Sequence, residues 1–159
     1  MNTVSLKDLQ GYVGKSIEQI CNNRFTTLSE SHCAHTVSHI LDIRIATLCG
    51  DMRYNTRRTG ATIRCDELYN GFLRKGPWDK RPTPENGLLI FCISARSIAG
   101  GRMMNVRQKH VGIYHSGMVF NYSNTLHKVA VDHSVEAFFN KLDAVYVADD
   151  IALFYGVAQ

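Results

Sequence analysis

No window of this chain reaches the roughly twenty consecutive apolar residues that a membrane-spanning helix requires, so no stable membrane insertion is expected. Residues 1–14 are polar and lack the apolar centre of a signal peptide, which leads to the expectation of synthesis in the cytoplasm. There is no CxxC pair. The five cysteines (21, 33, 49, 65 and 92) form an odd set, which argues against both a zinc knuckle and a complete disulfide framework. Proline is scarce: all three fall within 77–84, marking one irregular connection rather than a boundary between domains. Basic residues are dispersed, with clusters only at Arg57-Arg58 and Arg74-Lys75, so no nucleic-acid groove is indicated. Repeats and low-complexity segments are also missing.

What is present suits one globular unit over residues 1–159. Apolar residues make up 45% and charged residues 20%, enough for one real core. The net charge of +4 permits an anionic partner without choosing one. Leu6, Leu9 and Val13 share a helical face after the cap-type Ser5, and Ile17, Ile20 and Cys21 suggest a second short turn. A third helix is expected over 31–41, with Ser29 and Ser31 as possible caps and Ala34, Val37, Ile40 and Leu41 turned inward. Residues 51–60 read as an exposed loop, and 63–73 as a helix capped by Thr62 with Leu68, Tyr69 and Phe72 inward. Beyond Asn86-Gly87 the pattern becomes β. The apolar run 88–93 suits a strand covered on both faces, and strands at 106–114 and 118–123 meet at a tight turn. A strand at 128–132, a Ser134-capped helix and final strands at 144–147 and 151–157 complete an α+β pattern, N-terminal helices against an antiparallel sheet.

Cys33 stands at the front of the third helix, where unpaired N–H groups and the positive dipole end favour a thiolate. His110, between apolar neighbours on a strand, is the candidate base, and Gly112 permits close backbone approach. Asn121, on the next strand, is the candidate for holding the imidazole tautomer; His115, His127 and Asp132 are alternatives in that role. His35 and His39 have metal-ligand spacing, but a further ligand and the HExxH glutamate are missing, so they read as polar surface or cleft-rim residues and no metal is expected. His32 is placed at the cleft. Cys21, Cys49, Cys65 and Cys92 read as core residues, with a Cys49–Cys65 disulfide conceivable only in an oxidising compartment. Trp78 reads as packing rather than a stacking platform.

These motifs resemble, in order, those of the NlpC-type cell-wall cysteine peptidases, a circularly permuted branch of the papain-like hydrolases. The helix beginning at Cys33 looks like the family's nucleophile helix. Asn86-Gly87-Leu88-Leu89-Ile90-Phe91 is similar to its Gly-Asp-Leu-Val-Phe-Phe strand, and His110-Val111-Gly112-Ile113-Tyr114 to its histidine strand. Asn121 falls where the family keeps its third polar residue. The chain departs from it in having His32-Cys33-Ala34 in place of Asp-Cys-Ser, and in extra length over about 49–84, which would form a specificity wall or lid. The resemblance implies a papain-like fold, with Cys33 as nucleophile, His110 as base and then acid, and Asn121 as orienter. It implies cleavage of amide bonds in peptidoglycan stem peptides or cross-links, with no cofactor. A compact unit without a signal peptide is also similar to amidase effectors delivered by type VI secretion and to phage-associated lysins. Action in the periplasm or cell wall after non-classical delivery, and an immunity protein as partner, would follow. The competing expectations are a permuted papain-like acyltransferase or lipase, and a non-enzymatic binding module.

Overall fold

The computed structural model describes residues 4–54 and 59–158; the Arg57-Arg58 pair lies outside them. Helices come first. Ser5 caps α1 (Leu6–Tyr12) through a reciprocal capping box with Asp8, and Ser16 and Gln19 do the same for α2 (Ile17–Ile20). Then follow α3 (Cys33–Leu41), α4 (Cys49–Tyr54) and α5 (Cys65–Asn70). The expected loop at 51–60 therefore begins as a helix, because Asp51 accepts the Leu48 N–H at 3.1 Å and closes its first turn. Thr62 does not cap α5; its hydroxyl instead accepts the Ile45 N–H at 2.6 Å and ties two loops together.

The second half is a six-stranded, wholly antiparallel sheet in the order β1-β8-β2-β5-β6-β7. Its strands are β1 (Lys75–Pro77), β2 (Leu89–Ser94), β5 (Lys109–His115), β6 (Met118–Ser123), β7 (Lys128–Asp132) and β8 (Ile151–Gly156). A separate hairpin, β3 (Ile98–Ala99) with β4 (Arg102–Met103), turns through Gly100-Gly101 and is pinned to α5 by two Asn70–Met103 hydrogen bonds. Helix α6 (Val135–Asp143) is capped by Ser134 as the sequence suggests. The expected strand at 144–147 is absent. The N–H groups of Val145 and Tyr146 turn back to Leu142 O at 3.1 and 2.9 Å, prolonging the end of α6.

The α+β class is as expected, and β2 shows why its apolar run is unbroken. Leu89, Phe91 and Ile93 pack with Ala34 and Val37 of α3, whereas Leu88, Ile90 and Cys92 pack with Phe138 and Leu142 of α6. At nine residues α3 is too short to persist by itself, so packing fixes its position. It is buried on nearly every side. His35, Thr36 and Ser38 are as enclosed as Ala34 and Val37, since α2 and α5 cover the side away from the sheet.

Candidate active site

The start of α3 is set by its neighbours rather than by a serine cap. His32 occupies the cap position without a side-chain cap bond, and its N–H donates to Asn124 Oδ1 at 3.1 Å. Asn124, just after β6, also donates to Ser31 Oγ at 3.3 Å, so the end of β6 latches the helix start. Ser31 Oγ then donates to Cys33 Sγ at 3.5 Å.

Pairing between β5 and β6 runs from His115/Met118 only as far as Ile113/Phe120, around a turn in which Ser116 and Gly117 both take positive φ. Gly112 and Asn121 would be the next facing pair. A Cβ on Gly112 would lie 3.1 Å from that of Asn121, so the missing side chain leaves room for the amide to lean toward His110. Asn121 Oδ1 meets His110 Nε2 at 3.0 Å.

The surrounding bonds fix the tautomer. Asn121 Nδ2 donates to Asp132 Oδ2 at 2.9 Å and to Val119 O at 3.2 Å, so Oδ1 must be the end that accepts. His110 therefore carries a proton on Nε2 toward Asn121, and its other nitrogen, Nδ1, is the one left for Cys33, whose thiol and the imidazole act on each other electrostatically. Asp132 is held in turn by Lys141 Nζ at 2.8 Å. Asp132 thus holds the Asn121 amide, while His115 is engaged with Ser116 Oγ at 2.8 Å. Cys33, His110 and Asn121, separated by as many as 88 residues (121 − 33), meet at one point.

A residue that the sequence did not single out joins them. Cys65, at the start of α5, lies beside Cys33, and its thiol is the largest influence holding the Cys33 thiol well below its ordinary value of 9.0. Burial opposes the shift, and the charge and hydrogen bond of His110, with the Ser31 hydroxyl, reinforce it. Burial, followed by the Cys33 contact, pushes Cys65 well above 9.0, so it remains a donor. For His110, burial alone would lower the pKa, but the charge and hydrogen bond of Cys33 and the Asn121 bond outweigh it, and the value is raised above 6.5. Both shifts favour the charged forms, a thiolate beside an imidazolium.

Cys33 and Cys65 line a cleft of about 410 Å³ whose charged lining is Glu30, Arg64, Asp66, Arg107 and Lys109. Met52, Ile63 and Arg64 bring the 49–84 segment to this wall. Trp78 lies on the α6 side of the sheet, edge-on to Tyr114 with the Arg81 guanidinium 4.6 Å above it, so it packs.

The other histidines of α3 are not on the surface. His32 and His35 are fully enclosed and His39 half-buried, in a line that ends at two thiols, Cys21 and Cys49. Burial holds the His35 imidazole below 6.5, so it is neutral at neutral pH. The hydrogen bond between Cys21 and Cys49 pushes the first thiol up and the second down, so Cys21 donates and Cys49 accepts. All five cysteines are free, and Cys49 and Cys65 sit in different clusters, Cys49 beside Cys21 and Cys65 beside Cys33.

No protein-family model matches the chain, and a search of curated proteins returns no match.

Proposed function

We propose that this chain is a thiol hydrolase of papain-like, NlpC-type architecture that cleaves amide bonds in peptidoglycan stem peptides or cross-links. The observation that carries the chemistry is the relay Cys33–His110–Asn121, in which the amide fixes the tautomer and the imidazole faces the thiol. The thiolate attacks the scissile carbonyl carbon, and the resulting oxyanion is met by the backbone N–H of Cys33, which in the first helical turn has no intrahelical partner. Imidazolium Nδ1–H protonates the departing amine, leaving a thioester on Cys33 and a neutral His110. Nδ1 then takes a proton from water as it attacks the thioester, releasing a carboxylic acid and restoring the thiolate–imidazolium pair. No step calls for a metal at Cys33.

The murein assignment is supported by the ordered motifs of the cysteine helix, the 86–91 strand and the His110 strand. Three cations against two carboxylates in the cleft suit a substrate bearing free carboxylates, as stem peptides do. The test is to incubate wild type and Cys33→Ala with purified peptidoglycan and resolve the soluble fragments by mass spectrometry. Wild type should release fragments whose masses identify the scissile bond, and Cys33→Ala should release none. Equal release by both would overturn the thiol mechanism, and no release by folded wild type would overturn the choice of substrate.

A further inference from the structure

Four side chains on the far side of α3 from the sheet converge without any part in the relay. Cys21 caps the C-terminus of α2, His35 and His39 lie one turn apart on α3, and Cys49 opens α4. Their ligand atoms all lie within 4.8 Å of one another. We propose that Cys21, His35, His39 and Cys49 form a tetrahedral Cys2His2 site for a structural zinc ion, which staples the nucleophile helix to the segments on either side of it.

The individual separations favour this reading over a disulfide or a chance cluster. With Zn–S near 2.3 Å and Zn–N near 2.05 Å, a tetrahedron has edges of about 3.8 Å between sulfurs, about 3.6 Å from sulfur to nitrogen and about 3.3 Å between nitrogens. The structure has Cys21 Sγ to Cys49 Sγ at 3.8 Å, Cys49 Sγ to His39 Nε2 at 3.5 Å and His39 Nε2 to His35 Nε2 at 3.1 Å. A disulfide would need the sulfurs at about 2.05 Å.

Hydrogen bonding around the cluster points its lone pairs inward. Thr27 O can only accept, so His32 carries its proton on Nε2, 2.8 Å from that oxygen. In the tautomer so fixed, His32 Nδ1 is the acceptor for His35 Nδ1, 3.1 Å away. That leaves His35 Nε2 without a proton and aimed at His39 and the sulfurs, as an outer hydrogen bond orients a ligating histidine. The sulfurs receive N–H donors suited to thiolates: Asn23 N to Cys21 at 3.4 Å, and Asn23 Nδ2 and Ala61 N to Cys49, each at 3.3 Å. On binding, the cation replaces the protons held between these atoms, and two thiolates neutralise its charge, so the buried site has no net charge.

Four protein ligands leave no open position for water or substrate, which makes the role structural. His35 is two residues beyond Cys33 on the same helix, so the ion anchors the element that presents the nucleophile. This assignment stands independently of the substrate.

The test is elemental analysis of the full chain purified without chelator, together with titration of chelator-stripped protein with zinc alone and cobalt(II) alone. We expect about one zinc per chain, and visible cobalt absorption of tetrahedral intensity with a thiolate charge-transfer band. Cys33→Ala should retain the metal although it lacks the nucleophile. His32→Phe, which removes the outer hydrogen bond to His35 together with the bond to Thr27 O, should bind zinc about 10–100-fold more weakly. Cys21→Ser and Cys49→Ser should lose the metal; if they fail to fold, wild-type stoichiometry and the cobalt spectrum decide alone. Folded wild type that carries no zinc and takes up neither ion overturns the proposal. A Cys21–Cys49 disulfide in protein isolated under thiol-trapping conditions overturns it too.

Discussion

Replacing Gly112 with alanine tests how the base is oriented, because it leaves every proposed catalytic side chain in place. The backbone of Gly112 is not in the left-handed region, so alanine adopts it without torsional strain and the effect is steric. The added Cβ would lie 2.6 Å from Val119 Cγ1, 3.0 Å from Phe120 O and 3.1 Å from Asn121 Cβ. Carbon–carbon contacts are comfortable at about 3.5–4.0 Å, so the closest contact is short by roughly 1 Å. Val119 is fully buried against the α6 cluster and Phe120 contributes backbone, so neither swings aside and β5 and β6 must part. Overpacking of this kind costs about 1–3 kcal/mol. At roughly 2–4 °C per kcal/mol for a chain of this size, Tm should fall by about 2–12 °C. A parting of even about 0.5 Å takes the His110–Asn121 bond from 3.0 Å to the limit of hydrogen bonding. Losing that alignment should slow turnover by about 100-fold. Thermal unfolding by circular dichroism and fragment release from peptidoglycan measure the two effects. An alanine variant with wild-type Tm and wild-type turnover would refute the reasoning.

Asn121→Ala removes the acceptor for His110 Nε2 and leaves Asp132 paired with Lys141, so the fold should survive while turnover falls by about 10²–10³-fold, measured on the same substrate. Asn121→Asp should retain more activity than the alanine variant, since a carboxylate still accepts from Nε2. Cys65→Ala should move the alkylation profile of Cys33 to higher pH by removing the largest stabiliser of the thiolate, whereas Cys65→Ser, still a donor, should move it less. The Cys33–His110 pair also has a pH signature in stability. His110, raised above 6.5, contributes fully below that pH and loses the contribution as pH rises through its folded value. Cys33, lowered from 9.0, contributes fully above 9.0 and loses the contribution as pH falls through its folded value. Above 6.5 and below 9.0 the two slopes oppose each other. The Tm advantage of wild type over a Cys33→Ala/His110→Ala double variant should therefore vary less steeply across that window than its advantage over either single variant. A steeper dependence in the double comparison would contradict the ion pair.

Cys33, His110 and Asn121 are legible as candidates because each sits in a local pattern: a cysteine before an amphipathic run, and a histidine and an asparagine on two strands joined by Ser116-Gly117. The strand at 88–93 was legible for a similar reason, since an unbroken apolar run demands cover on both faces. Cys65 was not legible, because its contact with Cys33 is made between two helix starts that only the fold brings together. His35 and His39, expected at the surface or the cleft rim, are respectively buried and half-buried, because the single inner stripe of the sequence pattern does not show that α2 and α5 enclose the other side of so short a helix. Their partners flank the helix at 14 residues before His35 (35 − 21) and 10 after His39 (49 − 39), far outside CxxC spacing. The false strand at 144–147 came from the β-forming composition Ala-Val-Tyr-Val, which the backbone bonds to Leu142 override.

The central claim is that Cys33 is a thiolate activated by His110, and alkylation of each cysteine against pH, read by peptide mass spectrometry, tests it without knowledge of the substrate. Cys33 should react with iodoacetamide at a rate that stays high far below pH 9.0, while Cys92, pushed up to about 12 by burial, stays inert. His110→Ala should remove that low-pH reactivity. If Cys33 in wild type instead gains about tenfold per pH unit up to pH 9.0, as an ordinary thiol does, and His110→Ala leaves its profile unchanged, the account is wrong.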